Sequence, residues 1–188
     1  AYAMVAAGQI DLVLEAGLKP WDIEAAVPVL EGAGGLVTDW AGGALGDAGG
    51  QVAIAGDPAC LQTAVALLAE GLDPFWGFYH RPRHGRPALA LDMMEPLRPI
   101  IADSAVITSI NTGMVSSSQF TTAASGCCMN EGARKGLLRA YEARLDQLIT
   151  HPSFGYRCSW RSAILLQARL LSRWLRGDVH RYTNILTR

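Results

Sequence analysis

The chain has no C-x-x-C pair, no apolar run approaching the length of a membrane span, and almost no lysine. Its four cysteines, Cys60, Cys127, Cys128 and Cys158, include one adjacent pair. That arrangement excludes a disulfide framework and a cysteine zinc site, and predicts a reduced, cytoplasmic protein. Without a span-length apolar run, no membrane partner is expected. Gly32–Gly35 is not followed by Gly-Lys-Ser/Thr, so it is no nucleotide phosphate loop. Basic residues are nearly missing from the first seventy positions, where Lys19 stands against nine acidic residues for a net charge of −8.

The rest of the chain reverses that balance. Residues 71–188 hold fifteen basic residues, fourteen of them arginine, against eight acidic ones, for a net charge of +7. Such asymmetry predicts two parts with different tasks, the basic one facing a polyanion. Half of the 188 residues are apolar, enough for one large core or two small ones. The opening Ala-Tyr-Ala-Met reads as the inside of a helix and predicts truncation at the N-terminus.

Residues 1–8 read as the end of a small-residue helix, and 10–15 alternate as a strand. Pro20 opens a helix through DIEAAVPVLEGAG that Gly34-Gly35 stop. A strand is expected at 36–39, a glycine-rich loop at 41–50 and a strand at 51–56. Asp57-Pro58 cap a helix running to about Glu70. Beyond Gly71 the spacing predicts a helix over 89–111 disturbed by Pro96 and Pro99, a polar loop over 112–130, and helices over 131–150 and 157–176. The fold class is therefore an α+β chimera. A partial α/β layered fragment (1–70) precedes an all-α helical domain (71–188). Strands 10–15, 36–39 and 51–55 are expected to expose edges that invite pairing.

The densest chemistry lies in GLDPFWGFYHRPRHGRPALALDMMEPLRP (71–99). His80 follows an aromatic run, a basic loop intervenes, and Asp92 and Glu95 close the stretch three residues apart on one side of a helix. Imidazole with carboxylates suits Mg²⁺ or Mn²⁺, and a divalent cation can activate a hydroxyl against a phosphodiester. Arg81, Arg83, Arg86 and Arg98 lie near enough in sequence to hold phosphates. Against this, a lone histidine after aromatics often serves packing, and Asp92 suits an arginine's partner. His84 reads as a solvated or phosphate-contacting residue. On the last helix Arg157, Arg161, Arg169, Arg173 and Arg176 share half of the wheel, either as a DNA-backbone track or as a solvated face paired with Glu142 or Asp146. Trp160, Ile164, Leu170, Leu171 and Trp174 face the core, and Gln167 among them needs a buried partner.

The same stretch, continued through EGARKGLLRAYEARLDQLITHP, resembles the C-terminal helical domain of the CRISPR-associated adaptation integrases. That resemblance implies a metal-dependent DNA endonuclease/integrase of spacer acquisition. It makes His80, Glu95 and Asp92 the catalytic, metal-holding residues, with Asp92, the nearby acidic residue, assisting. It implies spacer and repeat DNA, a homodimer and a second adaptation protein as partners. The family's N-terminal β-domain and an upstream glutamate ligand are missing; Glu15 sits at a plausible distance but in another context. GLKPWDIEAAVPVLEGAGGLVTDWAGG (17–43) resembles the C-terminal half of the inositol monophosphatase and histidinol-phosphatase family. There Asp22 would bind Mg²⁺, or merely cap its helix. The metal loop of that family is also missing, and one carboxylate cannot build a two-metal site. Three readings follow: an incomplete integrase, a phosphomonoesterase fragment, or a catalytically inactive DNA-binding fragment. ACLQTAVALLAEGLDP (59–74) satisfies both patterns, as a fusion would.

Overall fold

The computed structural model describes residues 1–46, 49–123 and 126–185. Parts of two expected loops, residues 47–48 and 124–125, lie outside that description. The chain forms two compact units: Ala1–Glu95 with Ile164–Asn184, and Pro96–Ala163 with Ile185.

The first unit starts with α1 (Tyr2–Ala6) and β1 (Leu12–Leu18). Two short helices follow, α2 (Pro20–Ile23) and α3 (Val27–Gly32), where one helix was expected. Pro28 is the reason: it brings no N–H and its ring opposes the carbonyl four residues back, so the first helix ends before it. β2 (Leu36–Thr38) and β3 (Gly50–Ala55) complete an antiparallel sheet of order β1-β3-β2. Ala55 lies opposite both Leu12 and Leu36, which places β3 in the middle. Its Val52–Ala55 run is buried throughout, as a central strand requires. Val5, Ile10, Val13, Ile23, Leu30, Val52 and Ile54 form the core here.

Asp57 begins α4 (Pro58–Ala69) by accepting the Ala59 N–H at 2.8 Å, with Pro58 in the first turn. α4 packs against α5 (Ala88–Met94), whose residues are buried except Leu91. The expected helix over 89–111 is broken. A π-helical turn at Pro99–Asp103 separates α5 from α6 (Ser104–Asn111), because Pro96 and Pro99 cannot donate to the ladder.

The second unit continues from that turn. A 3₁₀ turn at Ser117–Gln119 leads into the strands β4 (Phe120–Ala123) and β5 (Gly126–Met129), which pair where a polar loop was expected. Asn130 caps α7 (Glu131–Asp146), accepting the Ala133 N–H at 2.9 Å. The helix stops short of the expected Thr150. Gln147 turns extended, and Leu148–Thr150 pairs as β6 with β7 (Arg157–Ser159). Two short antiparallel pairs therefore accompany the helices of this part. Arg144 holds the π-helical turn through Ile100 O at 2.8 Å and lies 5.8 Å from the Trp160 ring centre.

The last helix, α8 (Trp160–Leu175), buries Trp160, Ala163, Ile164, Gln167, Ala168, Leu171 and Ser172, a stripe at helical spacing. Trp174 departs from the expected inward face and is 43% exposed. Leu170 is half-buried. Gln167 finds a partner: its Oε1 accepts the Tyr182 hydroxyl at 3.1 Å, while its Nε2 has none among the described residues. Among the described residues no helix is long and apolar enough to cross a membrane.

Candidate active site

The site is built on the first turns of α5 and the segment before it. Pro74 O accepts the Leu89 and Ala90 N–H groups at 2.9 and 3.2 Å, clipping the segment to the start of that helix. Gly77 then passes so close that a Cβ there would lie 2.6 Å from both the Ala88 carbonyl carbon and Asp92 Oδ2. Only glycine fits. The next three residues aim their backbone N–H groups at one carboxylate. Asp92 Oδ2 accepts from Phe78 at 2.7 Å and Tyr79 at 2.9 Å, and Oδ1 accepts from the His80 N–H at 2.8 Å. His80 Nδ1 lies 2.6 Å from the same Oδ1.

Those contacts settle the chemistry of both side chains. The Asp92 side chain is fully buried and His80 retains 17% exposure. Burial alone would raise the Asp92 carboxyl. The Tyr79 and His80 backbone N–H groups, the His80 ring and the Phe78 N–H outweigh it and hold the group below its ordinary value. An ionised carboxylate only accepts, so Nδ1 carries the proton and donates. In the neutral ring Nε2 then carries the lone pair. This corrects one expectation: Asp92, with both oxygens occupied by four donors, orients His80 instead of facing a cation itself. It is a positioning residue.

Glu95 is half-buried at the end of α5, three residues after Asp92. Among the described residues no three His, Cys, Asp or Glu side chains gather into a metal site. Arg81 and Arg83 are exposed and Arg86 is half-buried. None of the three pairs with a carboxylate among the described residues. Their loop is anchored at Gly85, whose carbonyl accepts from Asp11 and Leu12 at 3.0 and 3.3 Å. Gly85 has φ +70°, and a Cβ there would meet Ile10 at 2.3 Å. His84 is exposed. Arg98 is exposed in the second unit, at the start of the π-helical turn.

The arginines expected on the last helix divide. Arg161 pairs with Glu142 at 2.5 Å and Asp146 at 3.2 Å, which is the ion-paired alternative. Arg169 pairs with Glu70 at 2.9 Å, and Arg176 reaches the Glu70 carbonyl at 3.5 Å. Arg157 lies on β7, before the helix begins, and both it and Arg173 are exposed. Asp22 accepts the Lys19 N–H at 2.8 Å and so serves as a helix cap. Glu15 accepts the Tyr2 hydroxyl. Burial and then Glu15 push that tyrosine up to about 12.

Sequence reasoning missed the backbone grip on Asp92 and the exposure of the aromatics before His80. Gly77, set among aromatics, was the available signal for a close approach. It also missed His151. That side chain is fully buried, accepts the Ser153 N–H at 3.2 Å, and stacks near Phe154 and Tyr156.

Residues 61–143 match the family model of CRISPR associated protein Cas1, and residues 1–71 match that of the inositol monophosphatase family. The matches overlap at 61–71, in α4 and the turn after it. The CRISPR-associated exonuclease Cas4/endonuclease Cas1 fusion of Geobacter sulfurreducens is 52% identical over 124 residues, covering 66% of this chain and 22% of that protein. The CRISPR-associated endonuclease Cas1 3 of Thermus thermophilus is 42% identical over 117 residues, covering 62% of this chain and 35% of that protein. The chain thus spans 22% and 35% of the length of these two relatives. Among solved structures, a casposase bound to integration product aligns with a TM-score of 0.62 at 23% identity, over 68% of this chain and 35% of that one. A Cas1 protein from Thermotoga maritima aligns with a TM-score of 0.57 at 22% identity, over 64% and 37%. These likenesses establish a shared fold.

Proposed function

We propose that the part of the chain resembling Cas1 carries the metal-binding, DNA-facing portion of an integrase/endonuclease of CRISPR spacer acquisition. The observation that carries this reading is the Asp92–His80 pair at 2.6 Å. A carboxylate that fixes the tautomer of a histidine and leaves Nε2 as donor is the usual support for a metal-ligating imidazole. The donor chemistry fits a hard divalent cation: Nε2 of His80 and the Glu95 carboxylate would hold Mg²⁺ or Mn²⁺. The remaining coordination positions fall to water and to donors outside the described residues. A cation held there supplies charge neutralisation for a phosphodiester and activation of an attacking hydroxyl.

The chain's own residues orient and bind. Asp92 keeps the His80 ring in place, and Arg81, Arg83 and Arg86, which have no carboxylate partner among the described residues, hold phosphates. Spacer and repeat DNA are the proposed partners, and a homodimer with a second adaptation protein the proposed assembly, in the cytoplasm. With His80 and Glu95 as its side-chain donors among the described residues, this chain alone is expected to integrate DNA weakly or not at all.

Titration of Mn²⁺ followed by its paramagnetic resonance signal tests the site without requiring turnover. Wild-type protein is expected to bind Mn²⁺, His80→Ala to weaken binding at least tenfold, and Asp92→Asn to weaken it about 10-fold to 100-fold. Mn²⁺-dependent nicking of branched DNA is expected to fall with the same variants. Binding and nicking that survive His80→Ala would refute the site.

A further inference from the structure

Trp76, Phe78 and Tyr79 are 76%, 73% and 81% exposed, three large aromatic side chains within four residues. Exposed apolar surface of this density marks an interaction site. Relaxation of the segment does not remove it, because the backbone is fixed from both sides. Pro74 O is bonded to the start of α5, Gly77 abuts Ala88, and the Phe78 and Tyr79 N–H groups are held by Asp92. With those N–H groups turned inward, the side chains of Phe78 and Tyr79 stand in solvent. Tyr79 also lies edge-on to the His80 ring, 5.5 Å between centres, so the aromatic surface reaches the histidine itself.

The neighbouring charge says what covers it. Arg81, Arg83 and Arg86 follow within seven residues, and none has a carboxylate partner among the described residues. An apolar protein surface would satisfy the rings and leave three guanidinium groups unpaired. A nucleic-acid strand satisfies both: its bases offer flat π faces and its phosphates offer anions. Paired bases hide those faces inside the duplex, so the strand must be unpaired where it meets the rings.

We propose that Trp76, Phe78 and Tyr79 form a stacking platform for unpaired nucleobases beside His80, with Arg81, Arg83 and Arg86 on the adjoining phosphates. This deepens the DNA reading given above and rests on it. The platform sets which form of the strand is presented to the histidine, an unstacked end or a frayed junction, and is tolerant of base identity.

Fluorescence anisotropy without metal, using labelled oligo-dT and an abasic strand of the same length, tests it. Wild-type protein is expected to prefer oligo-dT. Tyr79→Ala and Trp76→Ala are each expected to weaken oligo-dT binding about tenfold and leave the abasic strand unchanged, while Tyr79→Phe keeps the affinity. The side chains are exposed, so thermal unfolding by circular dichroism should not move. Equal binding of both strands by wild type overturns the platform and leaves DNA binding standing. Binding of neither strand overturns the DNA reading with it. A wild-type dimer that Trp76→Ala converts to monomer in sedimentation assigns the rings to a second copy and also overturns the platform.

Discussion

Asp92 shows how much one buried carboxylate can organise. Each of its oxygens receives two donors, and three of the four are backbone N–H groups of Phe78, Tyr79 and His80. An amide in its place must turn its NH₂ toward one of those donor pairs, whichever way it is flipped. Asp92→Asn is therefore expected to destabilise the first unit by about 3 kcal/mol, from two lost charge-assisted bonds and an unsatisfied donor. Urea denaturation at neutral pH measures it, and a loss under about 0.5 kcal/mol would remove Asp92 from this role. The spacing of Asp92 and Glu95 was legible in the sequence, since three residues along a helix return to one side. The donors were not, because they come from residues twelve to fourteen positions earlier in the chain.

At the scale of elements, the short pair β6–β7 carries its own titratable core. His151 is buried in the connection and its Nε2 has no partner among the described residues. Burial alone depresses it below its ordinary value. A group depressed in the folded state favours folding above its unfolded pKa and withdraws that support as pH falls. Stability should therefore decline from about pH 6.5 downward through the depressed folded value. His151→Phe, which keeps the ring contacts with Phe154 and Tyr156, is expected to flatten this part of the profile. Urea midpoints at about pH 7.5 and about pH 5.5 check it, and an unchanged slope would place the titration elsewhere. Helix caps, by contrast, could be read in advance. Asp57-Pro58 began α4 where expected, because capping depends on two or three neighbouring residues. The prolines at 28, 96 and 99 also act locally, and the breaks they impose override the long apolar patterns that run through them.

Across the whole molecule, the charge division is an average over residues that do different work. Arg161 and Arg169 are held by Glu142, Asp146 and Glu70, whereas Arg81, Arg83 and Arg86 have no carboxylate partner among the described residues. Only the latter set can exchange counterions for phosphates without first breaking an ion pair. Replacing Arg81, Arg83 and Arg86 by alanine should lower the slope of log affinity against log salt by about 2 to 3, and Arg161→Ala should change it little. DNA binding across a salt series measures both, and equal effects would favour a track along α8. The same arginine-rich loop is tied at Gly85 to Asp11 and Leu12, so the first compact unit runs through Gly71 without a break.

The sequence by itself determined what neighbouring residues decide: the charge of each part, the caps, most elements, the two family likenesses and the helix that both share. It also placed His80, Asp92 and Glu95 in one stretch. Only the tertiary structure decided what those residues face. It put β3 between β1 and β2, occupied both oxygens of Asp92, gave Arg161 and Arg169 carboxylate partners but Arg81, Arg83 and Arg86 none among the described residues, and turned three aromatic rings into solvent. The physical reason is range. Periodicity and capping are set within a turn or two of chain, whereas a carboxylate's partners, a strand's neighbours and a ring's exposure depend on segments that only folding brings together.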